Sequence, residues 1–382
     1  MSLRVGVIGC GNISDIYLTN ARLFPELAFV ACADIRAGAA EAAAARYGIT
    51  ALSVEQILDR DDINVILNLT VPGAHAEVSL AALAAGKHVY SEKPLATTLA
   101  DGRDIVRTAA RLGLRVGAAP DTCFGAAVQT ARRLLDQGEI GRPLIGLAAV
   151  LSHGMEDWHP APDFFYKEGG GPVLDLAPYY VAALVNLLGP VRSVVATGQI
   201  GNPERIITAP QSPFRGRSIQ VDTLTSVQAI LEFVCGAQIS FLLSWDVWPH
   251  QAPFIQLHGT DGSLSLPDPS WFGGSVKLAR RAENWVDFKS DNLIFGQPNY
   301  PTHAGQVANY RGVGLAEMAR AIAEGRPHRA SGELALHTLA VIEAMQIAAS
   351  NGQCVAIDDT TSRPEDVPPE LATALMTPQR HA

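Results

Sequence analysis

Short, wholly apolar runs alternate along the first part of the chain with stretches whose apolar residues recur every three or four positions. The run 4–8, RVGVI, is rich in β-branched residues and shows no polar face, as a parallel strand covered on both sides does. Ile13, Ile16, Tyr17 and Phe24 then keep one side, predicting a helix. Further apolar runs fall at 28–33, 64–69, 88–91 and 115–119, and a helical segment ends at Ala85 before Gly86. Alternating strands and helices predict a doubly wound α/β unit with a parallel sheet over residues 1–120.

Past Pro120 the pattern changes. A helix is predicted over 126–137, stopped by Gly138, followed by longer strands. Segment 238–247 alternates, placing Ile239, Phe241, Leu243, Trp245 and Val247 on one face of an antiparallel strand. Its neighbours are expected at 191–197, 223–233 and 254–258, the last closed by the turn Thr260-Asp261-Gly262. Amphipathic helices are predicted over 311–323 and 332–349, with Tyr310 in the core. Residues 121–355 therefore read as an α+β domain, and the charged, proline-rich residues 356–382 as a surface tail.

Composition narrows the function. A chain of 382 residues, 48% hydrophobic, is long enough for about two domains. Its 29 basic and 38 acidic residues leave a net charge of −9 with no basic block, which argues against nucleic acid or an anionic membrane as partner. Small-molecule chemistry is the expectation. The five cysteines are scattered, suggesting neither a disulfide framework nor a zinc ribbon, and no His-Glu-x-x-His is present, so no metal is predicted. The N-terminal apolar run is too short for a signal peptide, and no stretch approaches the roughly 18 to 20 apolar residues of a membrane span. A cytoplasmic protein is expected.

Candidate chemistry begins at Gly9-Cys10-Gly11-Asn12-Ile13-Ser14, between a strand and a helix. Gly9 permits the tight turn, Gly11 admits a pyrophosphate close to the backbone, and the N–H groups of Asn12, Ile13 and the first helical turn face it. Ser14 stands where the pattern wants a third glycine. Asp34 ends the next strand, at the distance where a carboxylate grips a ribose, with Ile35 and Arg36 beside it. Asp34 repels a 2′-phosphate and Arg36 attracts one, so NAD is favoured and NADP stays open. The Thr70-Val71-Pro72 turn with His75, and Glu92-Lys93-Pro94, both follow strands and so fall at the sheet's carboxyl edge. Lys93 is thereby a candidate for chemistry.

The stretch GGGPVLDLAPYY holds Asp175 among apolar residues. Asp175 reads as a helix N-cap with Pro178 in the first turn, as a carboxylate facing the cleft, or as both with one oxygen each, and Tyr179 lies four residues on, on the same side of a helix. The three glycines leave room for a ligand or nicotinamide ring. Asp121, just past a strand, and Trp158 and His159, in the loop 152–168, are candidates for substrate contact.

Together the glycine turn, Asp34, Thr70-Val71-Pro72 with His75, Glu92-Lys93-Pro94, the triglycine and Asp175 resemble the Gfo/Idh/MocA oxidoreductases, from residue 4 to about residue 350. The resemblance implies a Rossmann domain followed by a domain built on a large, mostly antiparallel open sheet. It implies an NAD(P)-dependent dehydrogenase or reductase acting on a CH–OH group of a sugar, an inositol-like polyol or a related compound. It assigns Lys93, Asp175 and Tyr179 to catalysis, Tyr179 standing where most relatives carry histidine, so the proton acceptor is Lys93 or Tyr179. A homodimer or homotetramer is implied. Two other activities occur on the same framework: a non-redox NAD-dependent glycosidase, and a non-catalytic NAD(P)-binding regulator.

Overall fold

The computed structural model describes residues 2–302 and 305–377. The chain opens with β1 (Leu3–Ile8), α1 (Ser14–Asn20), β2 (Leu27–Ala33), α2 (Ala37–Tyr47), β3 (Thr50–Ala51), α3 (Val54–Leu58), β4 (Val65–Asn68), α4 (His75–Ala84), β5 (His88–Ser91), α5 (Leu99–Leu112) and β6 (Val116–Ala118). The six strands form one sheet in the order β3-β2-β1-β4-β5-β6, every pair parallel. Val5, Val7, Val65, Ile66 and Leu67 are all fully buried, which is why these strands read as unbroken apolar runs. Strand order reverses between β1 and β4. The turns leaving those two strands therefore flank the crevice in which doubly wound sheets bind ligands.

The second region runs through α6 (Ala126–Asp136), β7 (Pro143–Leu151), α7 (Pro172–Leu188), β8 (Val191–Gln199), β9 (Glu204–Ile206), β10 (Ser218–Gln220), β11 (Ser226–Phe233), β12 (Gln238–Ser244), β13 (Ile255–Gly259), β14 (Gly262–Leu266), β15 (Ser275–Arg280) and β16 (Val286–Lys289). It closes with the pair β17 (Tyr300–Thr302) and β18 (Gly305–Val307), then α8 (Val313–Glu324), α9 (Gly332–Asn351), β19 (Val355–Ala356) and α10 (Pro369–Met376). Among the described residues, nine strands make an open sheet in the order β16-β15-β14-β13-β7-β12-β11-β8-β19. Of its strand pairs only β7–β12 is parallel. Ile239, Phe241 and Leu243 of β12 are fully buried on one face, beneath α7.

Three features depart from the sequence expectations. β7, at the sheet's centre, is not among the expected neighbours of β12, because its Leu-Ile-Gly-Leu-Ala-Ala-Val-Leu run does not alternate. β12 stops at Ser244, so Trp245 leaves the main core and is buried instead with Met155, Tyr166, Ile207 and Ile219. Residues 356–377 are not a surface tail, and residues 378–382 of the expected tail lie outside the described residues. Val367, Ala372 and Leu375 are buried in the main core, Arg132 donates to the Pro364 carbonyl at 2.8 Å, and Val367 N–H donates to Gln129 Oε1 at 2.8 Å. A charged, proline-rich composition concealed a few well-spaced apolar anchors.

The two regions share a helix. α9 packs on β8 of the large sheet and on α5 and β6 of the first, and its Leu336 and Leu339 belong to the core beneath the parallel sheet. Asn20 Nδ2 adds a polar tie, donating to the carbonyls of Asn309 and Arg311 at 3.0 Å each.

Candidate active site

The turn after β1 is shaped by a neighbouring strand end. Gly9 has φ of 103°, and a methyl group there would lie 2.5 Å from the Leu69 carbonyl and 2.7 Å from Thr70 N, so only glycine fits. At Gly11 the situation is opposite: a methyl group would meet nothing within 4 Å. The chain itself does not require glycine there, and the space is open to a ligand. Ser14, in the third glycine's place, is buried and donates its hydroxyl to the Gly11 carbonyl at 2.6 Å, which tightens the turn. Asn12 is exposed at the rim, followed by Ile13.

Asp34 closes the other side of this cradle. Its Oδ2 accepts from Cys10 N–H and its Oδ1 from Arg36 N–H, both at 2.8 Å. Burial works to raise its pKa, but these two backbone donors and the Arg36 guanidinium win, holding the carboxyl below its ordinary value. A fixed, ionised carboxylate beside a glycine turn suits a ribose diol. Ile35 is fully exposed, and Arg36 is mostly so.

At the same sheet edge, a second group of side chains assembles. Lys93 follows β5 and Asp175 lies on α7; Lys93 Nζ donates to Asp175 Oδ1 at 3.0 Å and to the Asp175 carbonyl at 2.6 Å. Asp175 is not the N-cap. Gly171 flanks the helix, Asp175 N–H donates to the Gly171 carbonyl at 3.1 Å, and Pro178 sits inside α7. Having no N–H, Pro178 leaves the Leu174 carbonyl without its helical donor, immediately before the carbonyl that Lys93 reaches. Tyr179, one turn on, places its ring centre 5.3 Å from Lys93 Nζ. Burial works to lower the lysine pKa, yet Asp175, Tyr179 and Glu92 outweigh it, and Lys93 is pushed up to about 12.

Comparison with known proteins identifies the family. The profile of the oxidoreductase family with an NAD-binding Rossmann fold matches residues 3–119, and that of the GFO/IDH/MocA C-terminal domain matches residues 128–265. Trans-1,2-dihydrobenzene-1,2-diol dehydrogenase of Bos taurus is 30% identical over 275 residues, 71% of this chain and 76% of the relative. The chain belongs to the Gfo/Idh/MocA oxidoreductase family. It is an NAD(P)-dependent oxidoreductase. Its similarity extends to 1,5-anhydro-D-fructose reductase of Ensifer adhaerens, 27% identical over 93% of this chain and 98% of that one. Among solved structures, levoglucosan dehydrogenase in complex with NADH and L-sorbose has the same fold, with a TM-score of 0.79 and 22% identity over 94% of this chain and 99% of that one.

Within this Gfo/Idh/MocA chain several residues singled out in the sequence turn away from the crevice. His75 is buried, its Nδ1 2.6 Å from the Pro94 carbonyl and its Nε2 3.0 Å from that of Thr70. It ties two crevice turns together rather than lining them; Pro72 remains exposed on the first of those turns. Glu92 is buried too, accepting from Tyr17 Oη at 2.7 Å and from Lys93 N–H at 3.0 Å. Asp121 is buried at the seam, where its Oδ2 accepts from Gly312 and Gly314 N–H at 2.9 and 3.1 Å, holding the start of α8. Lys93–Pro94 and Ala119–Pro120 are cis.

The triglycine also differs from expectation. The difference lies at its centre, where a methyl group on Gly170 would run into the Phe165 carbonyl, so that what approaches there is the chain's own loop; a methyl group on Gly169 would meet nothing within 4 Å. In that loop His159 packs edge-on against Trp158, Phe164 and Phe165, and Trp158 stays half exposed. A buried network of Arg205 with Glu156 and Asp246 anchors the loop's base. Sequence reasoning missed Arg311, which donates to Tyr179 Oη at 3.3 Å; the local sign was no more than a cation at the mouth of a helix. Among the described residues, no group of three or more His, Cys, Asp or Glu side chains is placed to hold a metal, and no helix is long and apolar enough to cross a membrane.

Proposed function

We propose that the chain moves hydride to or from a CH–OH carbon of a sugar or polyol held between Lys93, Asp175 and Tyr179. The observation that carries the reading is the doubly bonded Lys93–Asp175 pair under the Tyr179 ring, at the same sheet edge as a cradle shaped for a dinucleotide. Gly9, Gly11, Asn12, Ile13 and the Thr70–Pro72 turn would hold the pyrophosphate side, and Asp34 the adenosine ribose. Asp34 favours NAD, and exposed Arg36 leaves NADP usable. When bound, the nicotinamide accepts or supplies the hydride.

The side chains divide the remaining work. With its proton held up to about 12, Lys93 stays an ammonium across the neutral range, which suits a donor to the reacting oxygen and not a base. Tyr179 carries the hydroxyl proton, and Asp175 fixes Lys93 through both of its bonds. Trp158 offers a half-exposed ring to the apolar face of a sugar, with His159 behind it. Ile145, Val195 and Ile230 share an exposed face of the large sheet, which supports a homodimer or homotetramer joined there. Five scattered, unpaired cysteines support a cytoplasmic enzyme.

The test is a screen of myo-inositol, aldoses, sugar acids and 1,5-anhydro-D-fructose, following reduced nicotinamide with NAD and NADP in parallel. Net hydride transfer to or from a polyol is expected. Product without net NADH would make the protein a glycosidase, and tight NADH binding with no turnover on any compound would make it a regulator. Lys93→Met should keep NADH affinity while lowering turnover by roughly 100-fold or more. Unchanged turnover in that variant refutes the assignment.

A further inference from the structure

We propose that Arg311 is a positioning residue for Tyr179: its guanidinium donates to the phenol oxygen and stabilises the anion left when the proton departs. The inference rests on the reading that Tyr179 carries the proton. Arg311 NH2 donates to Tyr179 Oη at 3.3 Å and to the Ser270 carbonyl at 3.4 Å, while NH1 donates to Asn309 Oδ1 at 2.9 Å. The guanidinium lies 5.8 Å from the Tyr179 ring centre and 5.9 Å from that of Trp271. Few exposed arginines are so constrained, because ordering a long charged side chain costs rotamer entropy.

The backbone of Arg311 is held with equal care, and from the other domain. Its carbonyl accepts from Asn20 Nδ2 of α1, and the next residue, Gly312, donates its N–H to Asp121. The segment that carries the guanidinium is thus held by Asn20 of the dinucleotide-binding half and by Asp121 at the seam. Burial acts against the charge, but Tyr179, Glu92 and Tyr17 hold its pKa above the usual arginine value, so it stays cationic. The other charged groups around Tyr179 are Lys93 and, one turn earlier on α7, Asp175; Glu92, Tyr17 and Asp121 face the arginine. Lys93 spends its charge on Asp175 through two hydrogen bonds, which leaves the guanidinium as the cation in contact with the phenol oxygen.

The experiment needs no substrate. The ultraviolet absorbance of phenolate is titrated in the wild-type protein and in Tyr179→Phe, and their difference isolates the Tyr179 ionisation. The same difference measured in an Arg311→Met background should move to higher pH. Arg311→Lys, which keeps a charge on a more compact head, should recover part of that shift. An identical titration in the wild-type and Arg311→Met proteins overturns the proposal. Should Arg311→Met fail to fold, Arg311→Gln takes its place, and an unmoved titration there overturns it equally. A substrate screen without hydride transfer would sink the dehydrogenase reading and leave this titration result untouched.

Discussion

The cradle and the Lys93 cluster lie at the same edge of the parallel sheet but are built from different materials. At the cradle the principal groups are backbone: Cys10 N–H reaches an Asp34 carboxylate 24 positions away, and Gly9 is shaped by the Leu69 carbonyl. At the cluster they are charged side chains, joining Lys93 to Asp175 across 82 positions and Arg311 to Tyr179 across 132. A backbone site is broken by adding atoms, because close packing leaves nowhere to put them. A charged cluster is broken by removing a partner, because the other charge is then left in a poorly solvated place.

The largest effect on stability is expected at Gly9. Gly9→Ala combines a left-handed backbone with a methyl group 2.5 Å from a carbonyl, and should cost about 3 kcal/mol or more, with loss of NADH binding. Denaturant unfolding checks the first and fluorescence titration the second; a variant as stable as wild type would show that the strand ends can separate.

The next effect tests the seam between the two regions. Burial pushes the Asp121 carboxyl up to about 6, against the donors Gly314 and Gly312 and the charge of Arg311. An unfolded aspartate titrates near ~3.9, so the fold prefers the protonated form. The penalty for ionising it is absent below about pH 4, grows through the window, and is complete above about pH 6. Stability contributed by this group therefore falls as pH rises. Relative to Asp121→Asn, the wild type should lose of the order of 2–3 kcal/mol between those limits. A pH-independent difference between the two unfolding curves would contradict the burial argument.

Smaller effects sharpen the cradle. Asp34→Asn keeps an acceptor for Cys10 N–H but removes the charge that repels a 2′-phosphate, so the NAD over NADP preference should fall about tenfold, near 1.4 kcal/mol. Paired cofactor titrations measure it, and an unaltered ratio would assign selectivity to Arg36. The smallest change in stability is expected for Gly11→Ala, within about 0.5 kcal/mol, because its methyl group enters open space. NADH affinity should nonetheless drop. If it does not, the pyrophosphate lies elsewhere than against Gly11.

Much of the first region was legible because its signals are local. Apolar runs, a glycine turn and a carboxylate at a strand end occupy a handful of neighbouring positions, and periodicity reports which faces are covered. The second region was less open to that approach. β7 escaped because its run is apolar on both faces even though Ile145 is exposed, and residues 356–377 because Val367 and Leu375 are too few to make a pattern.

At the site, the sequence by itself determined the glycine turn with its facing Asp34 and the helical spacing that puts Asp175 and Tyr179 on one side of α7. Only the tertiary structure decided that His75 and Glu92 turn inward to clasp backbone and Tyr17, that Asp121 holds the start of α8, and that Arg311 meets a tyrosine 132 positions earlier. The reason is physical. Local conformation follows from a few adjacent side chains, whereas the meeting of distant polar groups depends on how two sheets and a shared helix pack, which no short stretch of sequence encodes.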